Sequence, residues 1–294
     1  MGREVSIYRS PEGQARVLAL YDGFLNSLGI AYEDRMLETR FGATHVLIMG
    51  PEHGEPVVII HGGNSPNPQG LRDLLPLLEA ERYRVYAPDT IGHPGMSAQV
   101  RLSPRDESYG QWLADVLDGL GLERAAFIGG SFGAGIILRL AAYTPERIAK
   151  AALFVPSGVV RVPFRSMLLR IGVPYLSYRL LPNRKRLLRA VSWMGDEMDD
   201  DMLALMEALF NHLRMEKKMP RPATVEELEG FRAPVLVIAA EKDALFPGDA
   251  VIRRAKEVIP NLVAAECLRG GTHLPSKRDG EYICRRIVAF MDRI

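Results

Sequence analysis

The stretch AAFIGGSFGAGIILRLAA, residues 125–142, leads from an apolar run through three glycines around one serine into an amphipathic run. Its centre satisfies the pattern Gly-x-Ser-x-Gly, with Ser131 as the serine. A strand before the pattern and a helix after it are typical of a nucleophile elbow, a sharp turn that exposes a serine hydroxyl. Glycines tolerate the close backbone approach that such a turn needs. The stretch predicts a nucleophilic Ser131; the alternative is a glycine-rich turn with an incidental serine.

Short apolar runs alternate with helical patterns on both sides of this stretch. Strand patterns occur at VVII, YRVYAPD, AAFIGG, KAALFVPS, VLVIAA and LVAAECL, and amphipathic patterns such as LRDLLPLLEAE lie between them. Short continuous apolar strands separated by helices predict an α/β fold with a mostly parallel sheet covered on both faces. Before them, RMLETRFGATHVLIMG predicts a hairpin, and Ser10-Pro11-Glu12 predicts the start of an N-terminal helix over about residues 11–29.

A helix-prone segment interrupts this alternation at about residues 157–225. It is rich in Arg, Leu and Met, and from Arg161 to Gly195 it carries eight basic residues and no acidic one. An insertion between strands of a parallel sheet is expected over the carboxyl ends of the strands, where such sheets bind ligands. We therefore predict a core of residues 1–156 and 226–294 and a helical cap of residues 157–225. The basic run predicts solvated helix faces; attraction of anionic products or lipid headgroups is the alternative.

A nucleophilic serine needs a general base, and that base needs an orienting acid. His273, in LRGGTHLPS, follows the last predicted strand, and Asp243, in VLVIAAEKDALFP, follows the preceding one. Both lie at the edge of the sheet where Ser131 is expected. Glu241 is the rival acid. His61 ends the VVII strand and is interpreted as a loop-shaping residue rather than the base.

Stabilising a developing oxyanion requires backbone N–H donors. The elbow supplies one from Phe132, the residue after the serine. The loop HGGNSPN after the VVII strand is the expected source of the second, with Gly63 favoured and Gly62 and Asn64 as its neighbours.

The motifs HGG, APDTIGHPGMS, IGGSFGAG, LVIAAEKDALFP and RGGTHLPS occur in the order found in the α/β-hydrolase fold superfamily. The chain resembles the capped serine esterase and lipase branch, over nearly all of its length outside the insertion. More narrowly, RFGATHVLIMGPE, SYGQWLADVLDGLGLERAAFIGGSFG and PERIAKAALFVPS resemble bacterial carboxylesterases that hydrolyse naproxen esters. The resemblance implies a sheet of the eight-stranded type with the cap after its sixth strand. It also gives Ser131, Asp243 and His273 the roles of a catalytic triad.

These observations predict a serine hydrolase that cleaves carboxylic esters through an acyl-enzyme, without a metal or organic cofactor. The same residues could instead serve a lipase or lysophospholipase, a C–C bond hydrolase or a perhydrolase, or the chain could be a non-catalytic ligand-binding protein. In the cap, Trp193, Met206 and Phe210 are candidate substrate contacts, unless they only pack the cap onto the core.

Composition and the lack of targeting signals limit the classes of binding partner and the cellular compartment that we expect. A formal net charge of +1 disfavours nucleic-acid binding. Cys267 and Cys284 lie in no metal-binding pattern and are too few for a disulfide framework. The start of the chain lacks the apolar core of a signal peptide, and no uncharged run approaches the roughly 20 residues of a membrane span. MGREVS matches a myristoylation pattern without a second membrane signal. We expect a cytoplasmic protein without stable membrane insertion, which acts on a small-molecule ester and is compatible with a homodimer.

Overall fold

The computed structural model describes residues 6–195 and 197–293, so the N-terminal myristoylation pattern falls almost wholly outside it. Eight strands form one sheet: β1 (Tyr32–Thr39), β2 (Gly42–Met49), β3 (Glu55–Ile60), β4 (Tyr83–Pro88), β5 (Ala125–Gly130), β6 (Ile148–Phe154), β7 (Val235–Ala240) and β8 (Leu262–Leu268). Their order is β1-β2-β4-β3-β5-β6-β7-β8. The β1–β2 hairpin pairs antiparallel, as do β2 and β4, and all other neighbours are parallel. The predicted mostly parallel, eight-stranded sheet is confirmed.

Helices cover both faces of this sheet, which is why its central strands are continuous apolar runs; all six residues of β7 are buried. The helices are α1 (Pro11–Ser27), α2 (Asn67–Leu71), α3 (Leu75–Leu78), α4 (Ser108–Gly119), α5 (Phe132–Tyr143), α6 (Phe164–Ser166), α7 (Val173–Leu180), α8 (Arg184–Val191), α9 (Asp200–His212), α10 (Val225–Leu228), α11 (Gly248–Val258) and α12 (Lys277–Met291). One core cluster joins α4, α5 and α11 to the sheet, and a second joins α1, α3 and α12 to the opposite face.

The structure differs from two of the predicted helices. The N-terminal helix begins as expected, where the Ser10 side chain accepts a hydrogen bond from the Gly13 N–H, but it ends at Ser27. The single helix predicted at LRDLLPLLEAE is wrong. A 3₁₀ turn at Arg72–Leu74 separates α2 from α3, and α3 has Pro76 in its first turn. Proline cannot continue a preceding helix, because it has no N–H and its ring clashes with the carbonyl four residues earlier.

The segment between β6 and β7 contains α6 to α10, with a π-helical stretch at Met167–Gly172 between α6 and α7. Its core is shared with the start of the chain. Tyr8, Val17 and Phe24 pack in one buried cluster with Tyr178 and Phe210 of the insertion. The division into a 1–156 and 226–294 core and a 157–225 cap stays a prediction, and α1 packs against both parts. Within the described residues, no helix has the length and apolarity to cross a membrane.

A buried ion pair joins the hairpin to the loop after β4. His45 Nδ1 lies 3.0 Å from Asp89 Oδ2, and His45 Nε2 lies 2.7 Å from Asp34 Oδ1. Asp89 is fully buried and also accepts hydrogen bonds from the Tyr21 hydroxyl and the Met96 N–H. Burial alone would lower the pKa of His45, but hydrogen bonds and charge from Asp89 and Asp34 outweigh it and raise the pKa above its usual 6.5.

This arrangement predicts a pH-dependent contribution to stability. A histidine whose folded pKa is raised stabilises the fold fully below its unfolded pKa, and the contribution is lost as the pH rises through the folded pKa. His45→Gln should therefore lower the free energy of unfolding by about 2 kcal/mol at pH 6 and by less at pH 9. Urea unfolding at both pH values measures this. His53→Gln, in an exposed turn, is the control. An equal loss at both pH values would contradict the prediction.

Candidate active site

Ser131 lies between β5 and α5 in a backbone conformation that side-chain-bearing residues rarely adopt, with φ 49° and ψ −115°. Such a conformation costs about 1–3 kcal/mol and persists only where neighbouring contacts hold it. Here the Ser131 N–H donates to the Phe154 carbonyl at 2.9 Å. The Ser131 carbonyl accepts from the Ser157 N–H at 3.1 Å and from the Ser157 hydroxyl at 2.9 Å. The backbone around Ser131 is therefore held in place by hydrogen bonds to β6 and to the loop that follows β6.

Two glycines of the motif are required by close packing. A Cβ on Gly133 would lie 2.1 Å from the Ile60 carbonyl oxygen, and one on Gly129 would lie 2.8 Å from the Ala134 nitrogen. Gly130 has no comparable contact, since the nearest atom to a Cβ there would be 3.9 Å away. Gly129 and Gly133 thus let α5 start directly against β3 and β5, which is what produces the sharp turn at Ser131.

The structure brings Asp243 and His273 together. His273 Nδ1 donates to Asp243 Oδ2 at 2.8 Å, and both residues are buried. The other oxygen of Asp243 accepts from the backbone N–H groups of Leu245, at 2.7 Å, and Phe246, at 3.1 Å. Asp243 is thereby oriented by its own loop. The rival acid, Glu241, is exposed and accepts from the Gly270 N–H, which places its carboxylate away from His273 and on the loop backbone.

Ser131 and His273 line one cavity, although no hydrogen bond joins the Ser131 hydroxyl to His273 among the described residues. Hydrogen bonds of this kind are often long before a substrate binds. The His273 ring lies near two aromatic rings, with centroid distances of 5.5 Å to Trp193 and 5.9 Å to Phe246. Its Nδ1 is engaged by Asp243, so Nε2 is the nitrogen left for the cavity.

The backbone N–H groups of Gly63 and Phe132 have no hydrogen-bond partner within residues 6–195 and 197–293. The two residues are adjacent, since a Cβ on Gly63 would lie 3.0 Å from the Phe132 Cβ. Gly62 is the neighbour on the other side, where a Cβ would be 4.0 Å from the Ser131 Cβ. The third candidate donor differs: the Asn64 N–H already donates to His93 Nδ1 at 2.9 Å.

Asn64 instead holds the loop in place. It has a φ of 56°, and its side chain pairs with the backbone of Glu216, donating to the carbonyl at 3.0 Å and accepting from the N–H at 2.6 Å. The His93 ring also packs on Phe132, with a centroid distance of 4.7 Å. Neither partner of Asn64 was predicted from the sequence. His93 was visible in the loop motif APDTIGHPGMS, but nothing in the sequence marks Glu216, which is 152 residues from Asn64.

His61 shapes the same loop. Its Nδ1 donates to the Gly62 carbonyl at 2.8 Å, and its Nε2 accepts from the Thr90 N–H at 2.9 Å, so both ring nitrogens are occupied. Burial lowers the pKa of His61 and lowers that of His93 well below 6.5. Both rings are therefore neutral near pH 7, as they must be to accept these backbone N–H groups.

The cavity measures about 180 Å³ and is mostly apolar. It extends from Ser131 between α12, the 3₁₀ turn after α2, and α9. Apolar side chains from core and insertion line it: Ile59, Leu74, Ile128, Ile283, Ile287, Met194, Met202, Leu205, Met206 and Leu209. Its charged lining residue is Asp73, and no Lys or Arg of the described residues lines it.

Of the three cap residues predicted to contact substrate, only Met206 lines this cavity. Trp193 packs on the His273 ring, and Phe210 is buried inside the insertion with its ring against Tyr175 and Tyr178. Phe210 follows Met206 by one helical turn on the inner side of α9. Met206 contacts the cavity, whereas Phe210 packs in the core of the insertion. The sequence alone does not tell these two environments apart.

Residues 57–285 match the model of the alpha/beta hydrolase family, and this span exceeds half of the chain. The chain belongs to the alpha/beta hydrolase family. It is 26% identical over 298 residues to Carboxylesterase YbfK of Bacillus subtilis (strain 168), covering 97% of this chain and 96% of that protein. It is 30% identical over 220 residues to 2-hydroxy-6-oxononadienedioate/2-hydroxy-6-oxononatrienedioate hydrolase 2 of Pseudomonas putida, covering 69% of this chain and 76% of that protein. The crystal structure of naproxen esterase (carboxylesterase NP) from Bacillus subtilis has the same fold, with a TM-score of 0.81 at 24% identity over 97% of this chain and 100% of that one.

Proposed function

We propose that this protein is a carboxylesterase that uses Ser131 as nucleophile, His273 as general base and Asp243 as the acid that orients the base. The observation that carries the proposal is the buried Asp243–His273 hydrogen bond beside a strained Ser131 on one apolar cavity. Two relatives support it, since YbfK is named a carboxylesterase and the neighbouring fold is that of a naproxen esterase.

The reaction follows from the atoms at the cavity wall. His273 Nε2 takes the hydroxyl proton as Ser131 Oγ attacks the ester carbonyl, and the N–H groups of Gly63 and Phe132 stabilise the oxyanion. The protonated His273 gives its proton to the departing alcohol, which leaves the acyl group on Ser131. Water then attacks the acyl-enzyme as His273 accepts a proton from it, and His273 returns that proton to Ser131 Oγ as the Oγ–acyl bond breaks and the carboxylic acid is released. Asp243 keeps the proton of His273 on Nδ1 and stabilises the imidazolium.

The size of the cavity indicates the acyl group. A protein cavity of about 150 Å³ with an apolar lining holds a benzene-sized molecule. At about 180 Å³, this cavity suits a short alkyl chain or a single ring. A panel of p-nitrophenyl esters from acetate to palmitate tests this: kcat/KM should be highest at acetate to hexanoate and fall for longer chains. A maximum at palmitate would contradict it, and no turnover of any ester would contradict the esterase proposal itself.

Carbon–carbon bond hydrolysis is the second candidate, because the Pseudomonas putida relative is named as a hydrolase of dienedioate compounds. A dioate carries two carboxylates, and buried carboxylates need cationic or hydrogen-bonding partners. The described lining of this cavity has no Lys or Arg and includes the carboxylate of Asp73. Charge therefore favours neutral esters over dicarboxylates at this site.

The contacts of Asn64 predict a positioning effect. Asn64→Gly keeps a residue that tolerates the φ of 56° but removes the side-chain hydrogen bonds to Glu216, so the oxyanion loop should lose its fixed position. Because the oxyanion forms only in the transition state, kcat should fall roughly tenfold or more while KM changes little. Steady-state kinetics on p-nitrophenyl butyrate, with a thermal melt to show folding, measures this. A rise in KM at constant kcat would instead mean that Asn64 contributes to substrate binding.

A further inference from the structure

Large apolar side chains are exposed in one part of the surface. The described residues expose fifteen of them, and nine lie between residues 164 and 188: Phe164, Met167, Leu168, Leu169, Val173, Leu176, Leu180, Leu181 and Leu188. Phe164 is 70% exposed and Leu180 is 69% exposed. Exposed apolar residues scattered singly are ordinary, but a contiguous cluster marks a surface that contacts something apolar. We call residues 164–188 the apolar face.

The helices of this face are firmly packed on their inner side. Tyr178 of α7 is buried, packs against Phe210 of α9 and accepts a hydrogen bond from Asn211. The Ser166 hydroxyl donates to the carbonyl of Ala244, the residue after Asp243. With Tyr178 turned inward, Val173, Leu176 and Leu180 lie on the outer side of the same helix. The apolar side chains are therefore presented outward by a segment that is anchored beside the candidate active site.

The segment that forms the apolar face carries cationic side chains and no acidic ones of its own; the acidic contacts come from α9, where Asp200 pairs with Arg184. Six of the eight basic residues between Arg161 and Gly195 are exposed, and no acidic residue occurs in that stretch. Among the described residues, Arg165 and Arg170 have no salt-bridge partner. Arg161 and Met167 also line a groove of about 1040 Å³ whose further charged lining is mostly basic, with Glu257 as its acidic residue. The positive charge thus continues from the apolar face onto the neighbouring surface.

We propose that the apolar face is a docking site for an anionic lipid surface, on which α7 lies at the level of the headgroups. Helices that combine outward Leu, Phe and Val side chains with Arg and Lys bind such surfaces by partial burial of the apolar residues and by attraction to anionic lipids. A second copy of this chain fits less well, because a two-fold symmetric contact would set this positive surface against itself. The docking is peripheral and independent of the ester chemistry proposed above.

Vesicle binding by the whole protein tests the proposal without reference to turnover. The protein is mixed with vesicles of phosphatidylcholine alone or with 30% phosphatidylglycerol, and the bound fraction is measured by flotation. Binding to the anionic vesicles at low salt is expected, with little binding to neutral vesicles and strong weakening in 0.5 M salt. Each Lys or Arg near an anionic surface is worth about fivefold in binding, so Arg165→Gln with Arg170→Gln should weaken binding by roughly thirtyfold. Leu176→Glu with Leu180→Glu should weaken it at least tenfold.

Matched controls separate this face from general surface effects. Val263→Glu removes an apolar residue that is 54% exposed on β8, and Arg278→Gln with Arg285→Gln removes two exposed charges on α12. These controls should bind like the wild type, and all variants should keep wild-type hydrolysis of p-nitrophenyl acetate. The proposal is overturned if anionic vesicles do not bind at low salt, or if the controls weaken binding as much as the face variants do. It is also overturned if the face variants convert a dimer to a monomer in sedimentation without changing vesicle binding.

Discussion

Replacing Ser131 with alanine is expected to lower kcat for p-nitrophenyl butyrate by roughly 10⁵-fold while the protein stays folded. The variant has no nucleophile to form the acyl-enzyme, and the backbone donors of Gly63 and Phe132 alone provide only residual catalysis. Folding should survive because the Ser131 hydroxyl makes no hydrogen bond among the described residues, and alanine keeps the Cβ that the strained backbone already accommodates. Initial rates and a thermal melt measure both parts.

Ser65 supplies the matched control for this experiment. It lines the same cavity, and its hydroxyl donates to the Gly62 carbonyl at 3.0 Å. A fluorophosphonate probe should label the wild type and Ser65→Ala, with at most a tenfold slower rate in the variant because one loop hydrogen bond is lost. Ser131→Ala should not be labelled. Labelling that survives in Ser131→Ala and disappears in Ser65→Ala would show that the nucleophile is Ser65 and not Ser131.

The sheet, and the edge of the sheet where the candidate site lies, could be predicted from local sequence patterns. Continuous apolar runs mark strands that are buried on both faces, and in a parallel sheet their carboxyl ends meet at one edge. This is why Asp243 and His273, thirty residues apart, could be expected to lie together, and their side chains are 2.8 Å apart. The Gly-x-Ser-x-Gly spacing around Ser131 is a local pattern as well, although the contact that requires Gly133 to be a glycine is with the Ile60 carbonyl of β3, a distant segment.

What the sequence did not reveal depends on contacts between distant segments. The Asn64–Glu216 pair joins the loop after β3 to the segment after α9, and the His45–Asp89 pair joins the hairpin to the loop after β4. Neither pairing has a periodic signal, because each involves a single side chain. Met206 and Phe210 are likewise both apolar residues of α9, and only the packing of the insertion decides which one faces the cavity.

Asp243→Asn should lower kcat about 10⁴-fold with little change in stability or KM. Asp243 Oδ1 accepts from the N–H groups of Leu245 and Phe246, so the amide oxygen of asparagine must take that position. The amide NH₂ then faces His273 Nδ1, where the carboxylate oxygen accepted a hydrogen bond from the Nδ1–H. A donor there is compatible only with an unprotonated Nδ1, so the proton of the neutral ring moves to Nε2. His273 then presents a proton to Ser131 instead of a lone pair and cannot act as the base.

Glu241→Gln distinguishes this tautomer effect from a general loss of negative charge near the site. Glu241 is two residues from Asp243, and its carboxylate accepts from the Gly270 N–H at 2.7 Å, which a glutamine oxygen can also do. Its kcat should stay within about threefold of the wild type, because a neutral acceptor preserves the loop and Asp243 still orients His273. If Glu241→Gln loses activity as severely as Asp243→Asn, the assignment of Asp243 as the orienting acid is wrong. If Asp243→Asn keeps full activity, the backbone donors at Leu245 and Phe246 do not fix the side chain as the structure implies.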